Sequence, residues 1–404
     1  MKHTRAIAVT AALLLFAAGA AVFGYLKYRR ITAYIAGQLG GQASKTLGRG
    51  IRLSGVSFSP LKGIVISDLC VSRRPDFSKG EFFCASRAVI RPELASLLRS
   101  RVRFSRVAFE KPVIKVREKG GRWDFEDLVA LLPETDKGLY LTWNASELEL
   151  TDAAVEADME TSGLSFSLEN ASLKLEHYSS LGGNYGLQAE GRLAGAVGGK
   201  LLSAEVSLEA DANFDYGGLS STDGSFRAEE ASYGEITLGS LAADWKLFNM
   251  RKPLADRNYS ASLSAKDLLV PANGNRVREA VSGGLKLFAS AMGRPAPRIG
   301  DIEMGSLDAA FSLNDSVLAV KDVSLRTNFL DLDGGLSIDG PARTAQASLK
   351  AALGPNRLEL SASGPLASPE VRPLLSSTLS AGFKSALRGA EQALLRIFPV
   401  TGDK

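Results

Sequence analysis

Alternation of apolar and polar residues is the feature that most constrains this chain. In the stretch SFSLENASLKLEH, residues 165–177, the large apolar residues are Phe166, Leu168, Leu173 and Leu175, and nearly all the others are polar. A two-residue period is typical of a β-strand with one apolar face, so we expect these four side chains to share one face of a sheet. A large apolar face is unstable in water, so something must cover it.

The same pattern recurs along most of the chain. From residue 139 to 247, short alternating segments follow one another, separated by Gly, Asn, Asp and Ser, and they resume after residue 300. Strands about 8–12 residues apart with short connections favour an antiparallel meander over crossover helices. The sequence therefore predicts a mainly β fold with a few short helices, one of them at 124–132. A further amphipathic helix is predicted at the C-terminus, in residues 373–404.

The N-terminus carries an uncharged apolar segment, AIAVTAALLLFAAGAAVFGYL, at residues 6–26. A helix of this length, at about 1.5 Å per residue, spans a bilayer core of roughly 30 Å. We therefore expect a transmembrane anchor in residues 1–30. The alternative is a cleaved signal peptide, because Ala18, Gly19 and Ala20 form an A-x-A site. Either interpretation exports the rest of the chain across the inner membrane of a bacterial cell.

Composition argues against several classes of function. The net charge of +4 is small and is partly due to basic residues beside the apolar N-terminal segment, so we expect no nucleic-acid partner. Two histidines and two cysteines are too few for a multi-histidine or four-thiolate metal site, and we expect no cofactor. The carboxylate pairs Asp331 with Asp333 and Asp152 with Glu156 fit a solvated strand face better than a glycosidase site. We expect no enzymatic activity.

The two cysteines are candidates for a disulfide. Cys70 and Cys84 lie at equal distances from residue 77, in a segment that reads as strand, loop and strand. A hairpin centred there places them opposite each other, and an oxidising compartment favours the bond. The alternative is a pair of buried free thiols.

The pattern alone leaves three alternatives for what covers the apolar face. Two sheets can pack as a sandwich, one sheet can close into a barrel or β-helix, or an open groove can be covered by lipid acyl chains. The aliphatic lining and the membrane anchor favour the groove. We expect the groove to be lined by Phe166, Leu168, Leu173, Leu175, Val206, Leu208, Ile236 and Leu238.

Several segments resemble the AsmA-like family of bacterial envelope proteins anchored in the inner membrane. They are LGRGIRLSGVSFSPLKGIVISDLCVS at 47–72, and the stretch at 90–132 with a Leu-Leu helix, a Lys-Pro step and the turn GRWDF. Near the C-terminus, FLDLDGGLSIDG at 329–340 and LELSASGPLASPEVRPLL at 358–375 complete the resemblance. Together they cover about half of the chain, and the middle agrees in pattern only.

The resemblance implies a curled antiparallel β-groove, similar to the repeating β-groove bridge-like lipid-transfer proteins, with its body in the periplasm. It implies that phospholipid moves along the groove toward the outer membrane. Because this chain is shorter than the large members of the family, we expect an outer-membrane or periplasmic protein partner, an oligomer or a shuttle-like role to complete the path. An alternative is an assembly factor for outer-membrane proteins, acting through strand-edge pairing. The expected organisation is a 1–30 anchor, a 31–135 N-terminal module, a 136–270 groove body, 271–372 C-terminal strands and a 373–404 helical tail.

Overall fold

The structure is a computed structural model of a mainly β protein. It describes the following residues: 44–45, 47–59, 63–93, 104–129, 146–177, 183–215, 218–253, 256–272, 282, 285–286, 289, 300–354, 356–366 and 369–372. The chain divides into two compact units. The first contains the described residues up to Glu176, and the second contains those from His177 onward.

Nine strands begin within the described residues of the first unit, together with a 3-10 helix at Phe77–Lys79 and a short helix α1 at Glu126–Val129. The strands are β1 (Ile51–Arg52), β2 (Gly55–Ser59), β3 (Gly63–Ser72), β4 (Glu81–Pro92), β5 (Phe104–Glu110), β6 (Val113–Lys119), β7 (Arg122–Trp123), β8 (Glu147–Met159) and β9 (Leu164–His177). Helix α1 lies inside the helical segment predicted at 124–132.

The first unit is not purely antiparallel, and the expectation of an antiparallel sheet is wrong here. Strands β2, β3, β4 and β5 pair antiparallel in sequence, and so do β8 and β9. Strands β5 and β6, however, both run parallel to β8. A parallel partner requires a long connection, and here it runs from the end of β6 to β8.

The second unit is a meander of eleven described strands. They are β10 (Gly183–Val197), β11 (Lys200–Asp215), β12 (Gly218–Tyr233), β13 (Ile236–Phe248), β14 (Asn258–Val270), β15 (Ile302–Asn314), β16 (Val317–Thr327), β17 (Asp331–Asp339), β18 (Thr344–Leu353), β19 (Asn356–Pro365) and β20 (Glu370–Arg372). Each strand pairs antiparallel with the next. Among these described strands there is no second sheet, and no pairing joins β10 to β19 or β20, so neither a sandwich nor a closed barrel forms within them.

Two-residue turns explain several of these hairpins. Gly198 and Gly199 join β10 to β11, both with positive φ, as the twist of a tight hairpin requires. Asp315 and Ser316 make the corresponding turn between β15 and β16, with φ of 49° and 62°. Non-glycine residues in this conformation are uncommon, and Asp tolerates it better than most because its side chain is short and polar.

Each unit has its own apolar core. In the first unit, Ile64, Ile66 and Ala88 are buried against Leu69 and Phe109. In the second unit, one cluster of buried residues comprises Tyr259, Leu313, Leu318, Ile338, Ala345 and Leu366. Another forms where Leu285 and Ala289 pack against Leu353, Phe329 and Leu330.

Three predicted elements lie outside the described residues. These are the transmembrane segment at 6–26, the Leu-Leu helix, whose Leu97 and Leu98 are not among the described residues, and the C-terminal helix at 373–404. Within the part of the chain that the structure describes, no helix is both long and apolar enough to cross a membrane.

Candidate functional site

The four predicted lining residues of the first unit lie on β9. Leu168 is the direct partner of Val155 on β8, and Leu173 is the direct partner of Leu150. Five positions separate Leu168 from Leu173, so a regular strand would place them on opposite faces. The prediction of an unbroken two-residue period over 165–177 is therefore wrong, because the period breaks between these two leucines.

Two β-bulges place these leucines on one face. Strands β8 and β9 shift register on both sides of the pair formed by Ala153 and Ala171. Ala153 shares a face with Val155, and Ala171 shares a face with Leu173, because each is two positions away along a strand. Asn170 and Asp152, with φ of 50° and 57°, lie at the bulges. A bulge adds one residue and so resets the alternation.

The other four predicted residues lie on β11 and β13 of the second unit. Val206 and Leu208 share a face of β11 with Leu202. Leu202 is paired with Tyr233 of β12, which is in turn paired with Ile236 of β13. Leu238 lies two positions beyond Ile236. Cross-strand partners share a face, so all four predicted residues belong to one surface, which we call the apolar face.

The apolar face extends much farther than the sequence indicated. A row of direct cross-strand partners crosses ten strands, from β10 to β19, without interruption, and we call it the central row. Its members are Leu187, Ala210, Gly224, Trp245, Ala261, Phe311, Val320, Leu336, Ala347 and Ala362. None of them is charged. At about 4.8 Å per strand, the row is roughly 43 Å long.

A second complete row runs beside the central row and is also uncharged. It consists of Tyr185, Ala212, Thr222, Leu247, Tyr259, Leu313, Leu318, Ile338, Ala345 and Gly364. On the other side of the central row, a third row links Ala189, Leu208, Phe226, Ala243, Leu263 and Ala309. The apolar face is thus at least three residues wide over β10–β15.

Much of this surface is partly exposed. Every member of the central row except Ala362 is half-buried rather than buried. Leu263 of the third row is 40% exposed. The second row is better covered, because its members on β14–β18 form the cluster with Leu366. The apolar face therefore combines a protein-covered margin with an accessible middle.

Aromatic residues stand at one margin of the face. Tyr185 stacks on His177, with ring centroids 4.8 Å apart, and meets Phe214 edge to face at 5.7 Å. Beyond the opposite end of β11, Tyr233 donates a hydrogen bond to the carbonyl of Val197. Tyrosines combine an apolar ring with a polar tip, which suits the edge of an apolar surface.

Three of the four carboxylates that were considered as catalytic pairs are engaged in ion pairs. Asp333 binds Arg326 at 2.6 Å, Asp152 lies 3.8 Å from Lys111, and Glu156 lies 3.1 Å from Lys115. These pairs are exposed or half-exposed, as the sequence indicated for a solvated strand face.

The two cysteines are direct partners on β3 and β4, and their sulfur atoms form a disulfide. Glu81 lies close to both sulfurs. A disulfide has no thiolate to offer a metal, so this group does not make a metal site in its oxidised form.

Sequence reasoning missed a buried cluster around Arg49. Its side chain is fully buried and binds both carboxylate oxygens of Asp127, at 2.6 and 3.0 Å. It also donates to the carbonyl oxygens of Ser72 and Asp124 and lies 4.5 Å above the ring of Phe82. Arg49 thereby ties the Gly-Arg segment before β1 to the turn that follows β7.

Comparisons of the chain with protein-family models, with curated proteins and with solved structures find no match. The resemblance to the AsmA-like family stays a prediction.

Proposed function

We propose that this protein binds lipid acyl chains on the apolar face of its second unit and carries phospholipid from the bacterial inner membrane toward the outer membrane. In this proposal, residues 6–26 anchor the chain in the inner membrane and the β-sheet body lies in the periplasm. The sheet curls into a groove, and the predicted lining residues of both units contact lipid.

The central row is the observation that supports this proposal most strongly. Ten consecutive strands contribute an uncharged residue to it, and most of these residues are partly exposed. Each buried methylene group of an acyl chain contributes about 0.8 kcal/mol, so a chain lying along the row gains several kcal/mol without a specific polar contact. The row consists of small, aliphatic and aromatic side chains without a charged group, so it provides no charged stopping point, which suits a path along which lipid slides.

Site-specific photocrosslinking tests the proposal in cells whose phospholipids carry radiolabelled phosphate. A benzophenone amino acid replaces Leu263, which is 40% exposed on the apolar face. The matched control replaces Leu201, which is 76% exposed and adjacent to Leu202 on β11, so it points to the opposite face. We expect a labelled band for the Leu263 position and none for the Leu201 position.

Equal labelling at the two positions, or none at either, would contradict the proposal. Crosslinks from Leu263 to an outer-membrane protein in place of lipid would favour the assembly-factor alternative. Lipids extracted from the purified full-length chain and identified by mass spectrometry would name the cargo.

A further inference from the structure

The face opposite the apolar face, which we call the polar face, carries a cavity that the proposed function does not use. Its volume is ≈ 710 Å³, and six neighbouring strands of the second unit line it. The lining consists of short windows, one on each strand, at 209–211, 223–225, 244–246, 260–262, 310–312 and 321–322.

The register assigns this cavity to the polar face. The middle residues of the first five windows, such as Ala210 and Trp245, belong to the central row. The two flanking residues of each window therefore point to the other face. A cavity on the apolar face would instead be lined by residues two positions apart within that face, such as Leu208 and Ala212, and these are not in its lining.

A second cavity of ≈ 400 Å³ continues the first one. Its lining includes Ser324, Asp333 and Lys350 on β16, β17 and β18, and it shares Asp322 with the larger cavity. The two cavities together form a trough, which we call the polar trough, that crosses the strands from β11 to β18. Seven strand spacings of about 4.8 Å make it roughly 34 Å long. This length suits an extended chain better than a compact ligand.

The polar trough offers hydrogen-bonding groups of both kinds. One line of direct partners along it reads Asp211, Asp223, Lys246, Ser260 and Ser312. Within the described residues, none of these five side chains makes a hydrogen bond or an ion pair. Asp244, which also lines the trough, is paired with Arg227 at 3.0 Å.

The mixture of groups restricts the chemistry of a ligand. A polyanion would meet Asp211 and Asp223, and a polycation would meet Lys246 and Lys321, so like-charge contacts disfavour both. A hydroxyl group is a donor and an acceptor at once, and it can satisfy carboxylates, ammonium groups and serine hydroxyls in turn. We propose that the polar trough binds an extended, uncharged, hydroxyl-rich chain, namely an oligosaccharide.

The test measures binding of hexasaccharides to the full-length chain by calorimetry, in a detergent without a sugar head group. The probes are cellohexaose, maltohexaose and chitohexaose, and an uncharged Ser-Gly hexapeptide with blocked ends serves as the comparison ligand. The double variant Asp223→Ala with Lys246→Ala removes two opposite charges from the trough and leaves the net charge unchanged. Glu205→Ala with Lys266→Ala is the matched control, because both residues are exposed, lie on β11 and β14 and line neither cavity.

We expect saturable binding of at least one hexasaccharide, a loss of affinity of tenfold or more in the trough variant, and a change below twofold in the control variant. Both variants should keep the thermal midpoint of the unmodified chain. Absence of saturable binding for all three saccharides, unchanged affinity in the trough variant, or equal binding of the hexapeptide would overturn the proposal. Lipid crosslinking at Leu263 is independent of each of these outcomes.

Discussion

Lys115 of β6 and Glu156 of β8 are direct partners on parallel strands, and their Nζ and Oε2 atoms lie 3.1 Å apart. The same offset along the chain separates three further pairs on these strands and their flanks. They are Lys111 with Asp152, Arg117 with Asp158, and Lys119 with Glu160. A basic strand thus lies beside an acidic one in a single register. A shift by one residue would separate every pair, so the charges favour this parallel alignment.

The first prediction concerns these four ion pairs between β6, β8 and their flanks, which we call the charge ladder. Lys115→Glu places two carboxylates opposite each other and should lower the free energy of unfolding by about 0.2–1 kcal/mol, the range for exposed pairs. The swap Lys115→Glu with Glu156→Lys should recover most of the loss. Urea denaturation at low and high salt measures both effects. The ladder would not act through charge if the double variant lost as much unfolding free energy as the two single variants together. The same conclusion would follow if salt did not change the loss caused by Lys115→Glu.

The ladder also shows why the parallel pairing of β6 with β8 could not be predicted from the sequence. Alternation indicates that β6 and β8 are strands, because each segment carries its own period. Their pairing depends on residues separated by the whole connection between β6 and β8, and no local signal in that connection specifies a parallel partner. The charge offset was present in the sequence, but it becomes informative only when two strands are compared as a pair.

The second prediction concerns the bulge at Asn170. Its φ of 50° is a left-handed conformation, which a β-branched residue adopts with difficulty. Asn170→Val should therefore destabilise the protein by about 1–3 kcal/mol, whereas Asn170→Gly should be neutral or better. Thermal and urea unfolding give the comparison. If valine were tolerated as well as glycine, the bulge would not be needed to place Leu168 and Leu173 on one face.

These bulges mark the limit of reading strands from alternation. Strands without a break in period, such as β11, place their apolar residues where the pattern indicates. In β12, the period changes between Ala228 and Ala231, and the intervening Glu230 has a φ of 50°. The sequence signal for such a bulge is a polar residue between two apolar residues that lie three or five positions apart. A strict two-residue period does not detect it.

The third prediction concerns Arg49. Arg49→Met removes a bidentate ion pair with Asp127 from a mostly buried setting, at a cost of about 3–5 kcal/mol. Arg49→Lys should recover only part of the loss, because an ammonium group cannot make two parallel bonds to Asp127. The matched control is Arg52→Met, whose pair with Glu81 is 61% and 44% exposed. It should change the free energy of unfolding by less than about 1 kcal/mol. Similar losses at both arginines would contradict the special role of the buried cluster.

The fourth prediction concerns Glu118, which is 7% exposed. Hydrogen bonds from the hydroxyl and the backbone N–H of Thr161 lower the pKa of its carboxyl group below the ordinary value of 4.5, and the N–H of Gly121 adds to the effect. A lowered pKa in the folded state contributes stability above the unfolded-state pKa, and this stability is lost as the pH falls through the folded-state pKa.

Glu118→Gln should therefore be less stable than the unmodified chain at pH 7, and the difference should shrink below about pH 4.5. Thermal unfolding between pH 7 and pH 3 measures the difference at each pH. Glu110→Gln provides a control, because Glu110 is 48% exposed and pairs with Arg87 at the surface. A Glu118→Gln difference that stays constant over this pH range would show that the ionised carboxylate does not provide the stability.

The last prediction separates lipid transfer from lipid binding and rests on the proposed function. Ala347 lies in the central row, between Leu336 and Ala362, and is half-buried. Ala347→Trp adds a bulky ring to the path while leaving the rest of the apolar face intact. If lipid slides along the row, this variant should slow transfer between donor and acceptor vesicles by tenfold or more and retain most of the bound lipid.

The neighbouring Gln346→Trp, an exposed position on the polar face, should leave both the transfer rate and the amount of bound lipid nearly unchanged. Transfer is followed by the fluorescence of a quenched phospholipid, and bound lipid by extraction and mass spectrometry. Equal transfer by the two tryptophan variants would mean that lipid does not travel along the central row.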